Sequence, residues 1–147
     1  MKTAHESLIE EVSTAYGIPL DILHAQVIKE SSGFADAFRF EHAYYDAYIK
    51  HNPTAKAFRF GPLAACSYGL LQVLLETAME EGFDGRPEDL FLPRIGLTWG
   101  VKHLLTLWER EGRTPEGLKI ALARYNGRGP AAQAYADSIY ALAGRVA

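Results

Sequence analysis

The chain contains one cysteine, Cys66, so no internal disulfide exists and the fold does not depend on oxidation. Cys66 itself reads as a small core residue rather than a thiol nucleophile, because no histidine stands in an obviously paired position. No window approaches the ~18 apolar residues of a membrane span, which excludes insertion into a bilayer. The start, Met1 to Leu8, lacks the apolar run of a signal peptide, so the expectation is a protein made in the cytoplasm without a leader. Clusters of Lys and Arg are missing too: 15 basic residues are scattered through a chain of net charge -3, which argues against nucleic acid as a partner. The five histidines offer no pair at the i, i+4 spacing of a helical zinc site, and no metal or other cofactor is expected. Repeats and convincing buried strands are also lacking.

What remains is a helical pattern. At 147 residues and 48% apolar composition, one domain spanning 1–147 with a real core is expected. Residues 5 to 16 carry Leu8, Ile9, Val12, Ala15 and Tyr16 at helical spacing, with Gly17 as C-cap. Pro19 suits a helix start, and Ser31, Ser32 and Gly33 suit its end, giving a second helix over about 19–31. Between Phe34 and Phe60 lie eight aromatic residues, around a helix over 41–50 that Asn52-Pro53 breaks. Aromatics of this kind serve a core or stack on sugar faces. The spacing predicts further helices over 69–81, 93–111, 115–126 and 130–142. Thr114-Pro115-Glu116 supplies a capping hydroxyl, a proline and an acid in the order a helix start requires. A minor hairpin within 56–66 is the one expected departure from helix.

The residue around which the chemistry gathers is Glu30. Leu20, Leu23 and Val27 form a stripe whose next position is Glu30, a carboxylate where an apolar residue is due and where the helix gives way to a tight loop. Partial desolvation favours the protonated form of such a carboxyl, the state a general acid needs. The bland alternative is a glutamate pointing past the helix end into water. Two other segments also set polar groups beside glycine at an element's end: Ser67-Tyr68-Gly69-Leu70-Leu71-Gln72 and Ala121 to Asn126-Gly127. On their own, Gln72 reads equally as a side chain bonding its local backbone and Tyr125 as a core ring.

Taken in order, Glu30-Ser31, Gly69-Leu70-Leu71-Gln72 and Ala121-Leu122-Ala123-Arg124-Tyr125-Asn126-Gly127 resemble the motifs of soluble-type (SLT) lytic transglycosylases. These belong to the lysozyme-like superfamily, which includes goose-type lysozyme. The resemblance covers about residues 8–140. Arg39-Phe40-Glu41 and the tyrosines after it look like the insertion of phage-encoded members. Leu71 stands where the family has Met, and Arg128 where many members have a second glycine; neither touches proton transfer. The resemblance implies a mainly α, lysozyme-like fold with a substrate cleft, and a monomeric phage endolysin or virion-associated enzyme whose partner is the glycan strands of peptidoglycan. Glu30 would be the sole catalytic acid and base, with Ser31, Ser67, Tyr68, Gly69, Gln72, Tyr125 and Asn126 binding substrate or holding Glu30. Two rivals stay open. A hydrolytic muramidase would add a second carboxylate, for which Glu41 is the leading candidate over Asp36 and Asp46. A peptidoglycan-binding module would not cut at all.

Overall fold

The computed structural model describes residues 5–145; the first four positions, part of the stretch searched for a leader, and the last two lie outside the described residues. The chain is mainly helical with one small sheet. In order, the elements are α1 (Glu6–Tyr16), α2 (Leu20–Ser31), β1 (Phe38–Phe40), α3 (His42–Tyr44), a π-helix (Tyr45–Ile49), a 3-10 segment (Phe58–Ala65), β2 (Cys66–Tyr68) and β3 (Val73–Leu74). They continue with α4 (Leu75–Glu80), a 3-10 turn (Pro87–Phe91), α5 (Pro93–Arg110), α6 (Pro115–Asn126) and α7 (Pro130–Leu142). Among the described residues no helix is long and apolar enough to cross a membrane.

The chain divides into two compact units, Met1–Lys29 with Val101–Ala147, and Glu30–Gly100. In the first, α1 buries Ile9, Val12 and Ser13, positions three and four apart on one helical face. It ends at Gly17 in the left-handed region, as the sequence predicts, and Ser13 Oγ donates to the Ile18 carbonyl at 2.6 Å. Helix α2 buries Ile22, Leu23, Ala25, Gln26 and Val27, a broader face than the expected stripe, while Leu20 is exposed. α6 packs on α7. Its start follows the sequence: Thr114 Oγ1 accepts from the Gly117 N–H at 2.9 Å, with Pro115 in the first turn. The Trp108 indole N–H closes the preceding loop on the Thr114 carbonyl at 2.8 Å.

The second unit holds the sheet. β2 lies in the middle, antiparallel to β1 on one side and β3 on the other, with Arg39 opposite Ser67 and Ser67 opposite Leu74. Its core gathers Ile49, Ala57, Ala64, Ala65, Cys66, Tyr68, Val73, Leu75, Ala78, Phe83 and Leu90. The free thiol of Cys66 belongs to this core, and burial pushes its pKa up, aided by Glu41.

Two expectations change here. The hairpin lies not within 56–66 but over 66–74, while 58–65 coils as a 3-10 segment, kinked at Gly61 and followed at once by Pro62, whose missing N–H suits no ladder. The helix expected over 69–81 begins only at Leu75, because residues 69–72 form a tight turn. Gly69 and Gln72 both have positive φ there (76° and 49°), and the Gly69 carbonyl is taken by the Gln72 N–H three residues on, a turn bond rather than a helical one. The helix expected over 41–50 is present, but most of it is the π form, in which the Lys50 N–H reaches back five residues to the Tyr45 carbonyl at 2.9 Å; the Tyr44 and Tyr48 rings lie 4.9 Å apart.

Candidate functional site

Glu30 sits half-buried in the last turn of α2, and the geometry around it begins at the next residue. Ser31, itself buried, donates from Oγ to the carbonyl of Leu70 at 2.8 Å and accepts the Gly33 N–H at 3.2 Å. The first bond joins the helix end to the Gly69–Gln72 turn across 39 residues of sequence. The second helps the chain leave the helix through Ser32 and Gly33, both with positive φ. The Glu-Ser pair and the Gly-Leu-Leu-Gln motif are thus one structural unit.

The turn is fixed from several sides. Gly69 donates to the Ala37 carbonyl at 2.9 Å, which continues the β1–β2 ladder past Tyr68. Its φ of 76° suits glycine, and a Cβ there would meet the Leu90 carbonyl oxygen at 2.6 Å. Gln72 donates from Nε2 to the Gly69 carbonyl at 3.2 Å, so its amide braces the turn that carries it. A non-glycine residue with φ of 49° is held there at some conformational cost, which is commonly found at functional sites.

β2 presents the next group. Ser67 is buried and its Oγ stands 3.4 Å from Glu41 Oε1, the same oxygen that Arg39 Nε approaches at 3.4 Å. Glu41 is half-buried at the end of β1, with its own N–H on the Ala65 carbonyl at 2.8 Å. Tyr68 is 1% exposed, with its hydroxyl on the Leu63 carbonyl and its ring packed edge-on to Phe38. Burial raises its pKa strongly, so it stays a neutral phenol that supports the sheet.

Compared with models of protein families, with curated proteins and with solved structures, the chain matches none. The site therefore rests on its own geometry.

That geometry brings together Ser31 and the Gly69–Gln72 turn, and separately Ser67 and Glu41. Tyr125 and Asn126 belong to the other unit, in the last turn of α6, where Tyr125 is half-buried with its ring 5.4 Å from that of His103, and Asn126 is exposed. Of the other acids weighed as a second carboxylate, Asp36 is exposed and Asp46 pairs with His42 at 3.2 Å. Among the described residues no group of three or more His, Cys, Asp or Glu is placed to hold a metal ion.

One buried acid escaped the sequence reading. Glu76, in the first turn of α4, accepts the backbone N–H groups of Lys56 and Ala57 at 3.0 and 2.7 Å and so anchors the loop before the 3-10 segment. Its position between the apolar Leu75 and Ala78 is a trace of this in the sequence, since a charge inside an apolar run needs partners.

Proposed function

We propose that the chain is a lytic transglycosylase with a lysozyme-like fold of the soluble-transglycosylase and goose-type kind, acting on the glycan strands of peptidoglycan. The observation that carries this reading is the Ser31–Leu70 hydrogen bond, which couples the helix end bearing Glu30 to the turn bearing Gln72. Two motifs read separately from the sequence then serve one site. Glu30 protonates the oxygen between N-acetylmuramic acid and N-acetylglucosamine as the bond to C1 breaks. The substrate's 2-acetamido oxygen closes on C1, so no carboxylate nucleophile is required. Glu30, now ionised, takes the proton of the muramoyl C6 hydroxyl, whose oxygen displaces the acetamido group and yields the 1,6-anhydro end. Ser31, Gly69 and Gln72 hold the turn, and Ser67 and Tyr68 support the sheet beside it. In this reading the enzyme works as a monomer, released at host lysis or carried in a virion.

Replacing Glu30 by Gln keeps the shape and removes the titrating group. Clearing of purified peptidoglycan should fall about a thousandfold or more with binding and melting temperature retained; a variant within tenfold of the parent retires the assignment. Hydrolysis is the second reading, with Glu41 as its second acid; what favours it is one contact, Ser67 Oγ 3.4 Å from the half-buried Glu41 carboxylate. Mass spectrometry of released muropeptides separates the two, since anhydro ends mean transglycosylation and reducing ends mean hydrolysis. Intact strands after long incubation with the parent protein would leave only a binding module.

A further inference from the structure

We propose that the lobe made by the π-helix, the loop over 50–57 and the 3-10 segment adsorbs to the surface of an anionic phospholipid bilayer. The lobe joins two properties that a soluble surface of an acidic protein does not ordinarily combine. Tyr48, Phe58 and Leu63 are 59%, 38% and 42% exposed, although burying apolar surface of this kind is favourable. Lys50, Lys56 and Arg59 stand exposed among them, and residues 47–75 contain no Asp or Glu at all in a chain of net charge -3.

The π-helix packs against the 3-10 segment, which keeps Tyr48 and Phe58 on one body. Glu76 anchors the loop between them through the Lys56 and Ala57 amides, leaving the Lys56 side chain outward. The Arg59 guanidinium lies over the Phe60 ring at 4.6 Å. The acids nearest in sequence are Asp46, 3.2 Å from His42, Glu76, turned onto the loop amides, and Glu80 on α4, which is attracted to Lys56. A tyrosine suits the headgroup level, while Phe58 and Leu63 suit the acyl boundary beneath it. An exposed leucine and an acid-free stretch favour a continuous anionic sheet over a glycan, whose carboxylates are spaced and whose sugars stack on rings. Adsorption of this kind is peripheral and needs no spanning helix.

The test is flotation of the full chain with vesicles of phosphatidylglycerol and phosphatidylcholine in equal parts, or of phosphatidylcholine alone. The parent should float only with the anionic vesicles and should be released by salt. Neutralising Lys50, Lys56 and Arg59 together to Gln should weaken partitioning about a hundredfold, since each cation near such a surface contributes roughly a factor of five. Neutralising Lys29, Arg86 and Arg110, all exposed and outside the lobe, gives the same net charge and should change it less than threefold. Circular dichroism confirms that both variants fold, and Glu76 grips backbone rather than the altered side chains. No flotation of the parent, equal loss in the two variants, or unchanged binding by the lobe variant overturns the proposal. No flotation of the parent together with retention on soluble glycan strands that the lobe variant loses also overturns it, in favour of a wall polymer. The vesicles hold no peptidoglycan, so the outcome is independent of the role assigned to Glu30.

Discussion

Ser31 bears the largest structural consequence of any single hydroxyl near Glu30. Its removal in Ser31→Ala leaves the Leu70 carbonyl without this donor inside a buried turn and strips the Gly33 N–H of an acceptor. The expected loss is about 1–3 kcal/mol of stability, read by denaturant unfolding. Activity should fall further than the unfolded fraction explains, because the Glu30 helix end is no longer tied to the turn. Unchanged specific activity in the folded fraction of the variant would separate the two. At this scale the sequence was informative about type and silent about partner. Glu30-Ser31 is readable as a polar helix end, but a hydrogen bond to a carbonyl 39 residues away leaves no local trace. Gln72 shows the same limit: its side chain returns to the Gly69 carbonyl, the local bonding that its residue type allows.

Among the elements, legibility followed the range of the interactions that decide each one. α1, α6 and α7 were readable because their signals are local: Gly17 as C-cap, Thr114 as N-cap, Pro115 and Pro130 in first turns. The segment over 69–74 was not, because Leu70, Leu71, Val73 and Leu74 fit a helix by composition while bonds from Ala37 and Ser31 hold the chain in a turn and strand. α4 carries a test of its own. Glu76→Ala should cost about 2–4 kcal/mol, because the buried Ala57 N–H and the part-buried Lys56 N–H lose a charged acceptor together. Glu76→Gln should cost roughly half as much, since an amide keeps one accepting oxygen. Chemical denaturation of the three proteins checks the ranking, and a Gln variant no better than Ala would mean that the loop amides are satisfied otherwise.

For the whole molecule, pH acts with opposite signs in the two units. Burial, with Glu76 and Glu81 nearby, raises the Glu80 carboxyl above its usual range. The folded state therefore disfavours the ionised form, a cost present at neutral pH and relieved as pH falls through the raised value. Glu80→Gln should melt higher than the parent at pH 7, and the gap should close by about pH 3, where the parent carboxyl is protonated folded or unfolded. Asp137 behaves inversely: hydrogen bonding to Lys119 at 2.9 Å lowers its carboxyl below 3.8, so the folded state favours the ionised form. That support is present above the unfolded value and is lost as pH falls through the lowered one. Asp137→Asn should melt lower at pH 7, with the difference shrinking below pH 3.8. Melting curves of the parent and both variants at neutral and acid pH check both signs at once.

The close seat of Gly69 against the Leu90 carbonyl is shared: a Cβ at Gly96, in the first turn of α5, would collide with the same oxygen. Both neighbours must stay bare, for even one added methyl would push the peptide after Leu90 out of place. A library randomised at 69 and 96 together should therefore return glycine at each among its soluble clones, marking a spot where this chain has no room to drift.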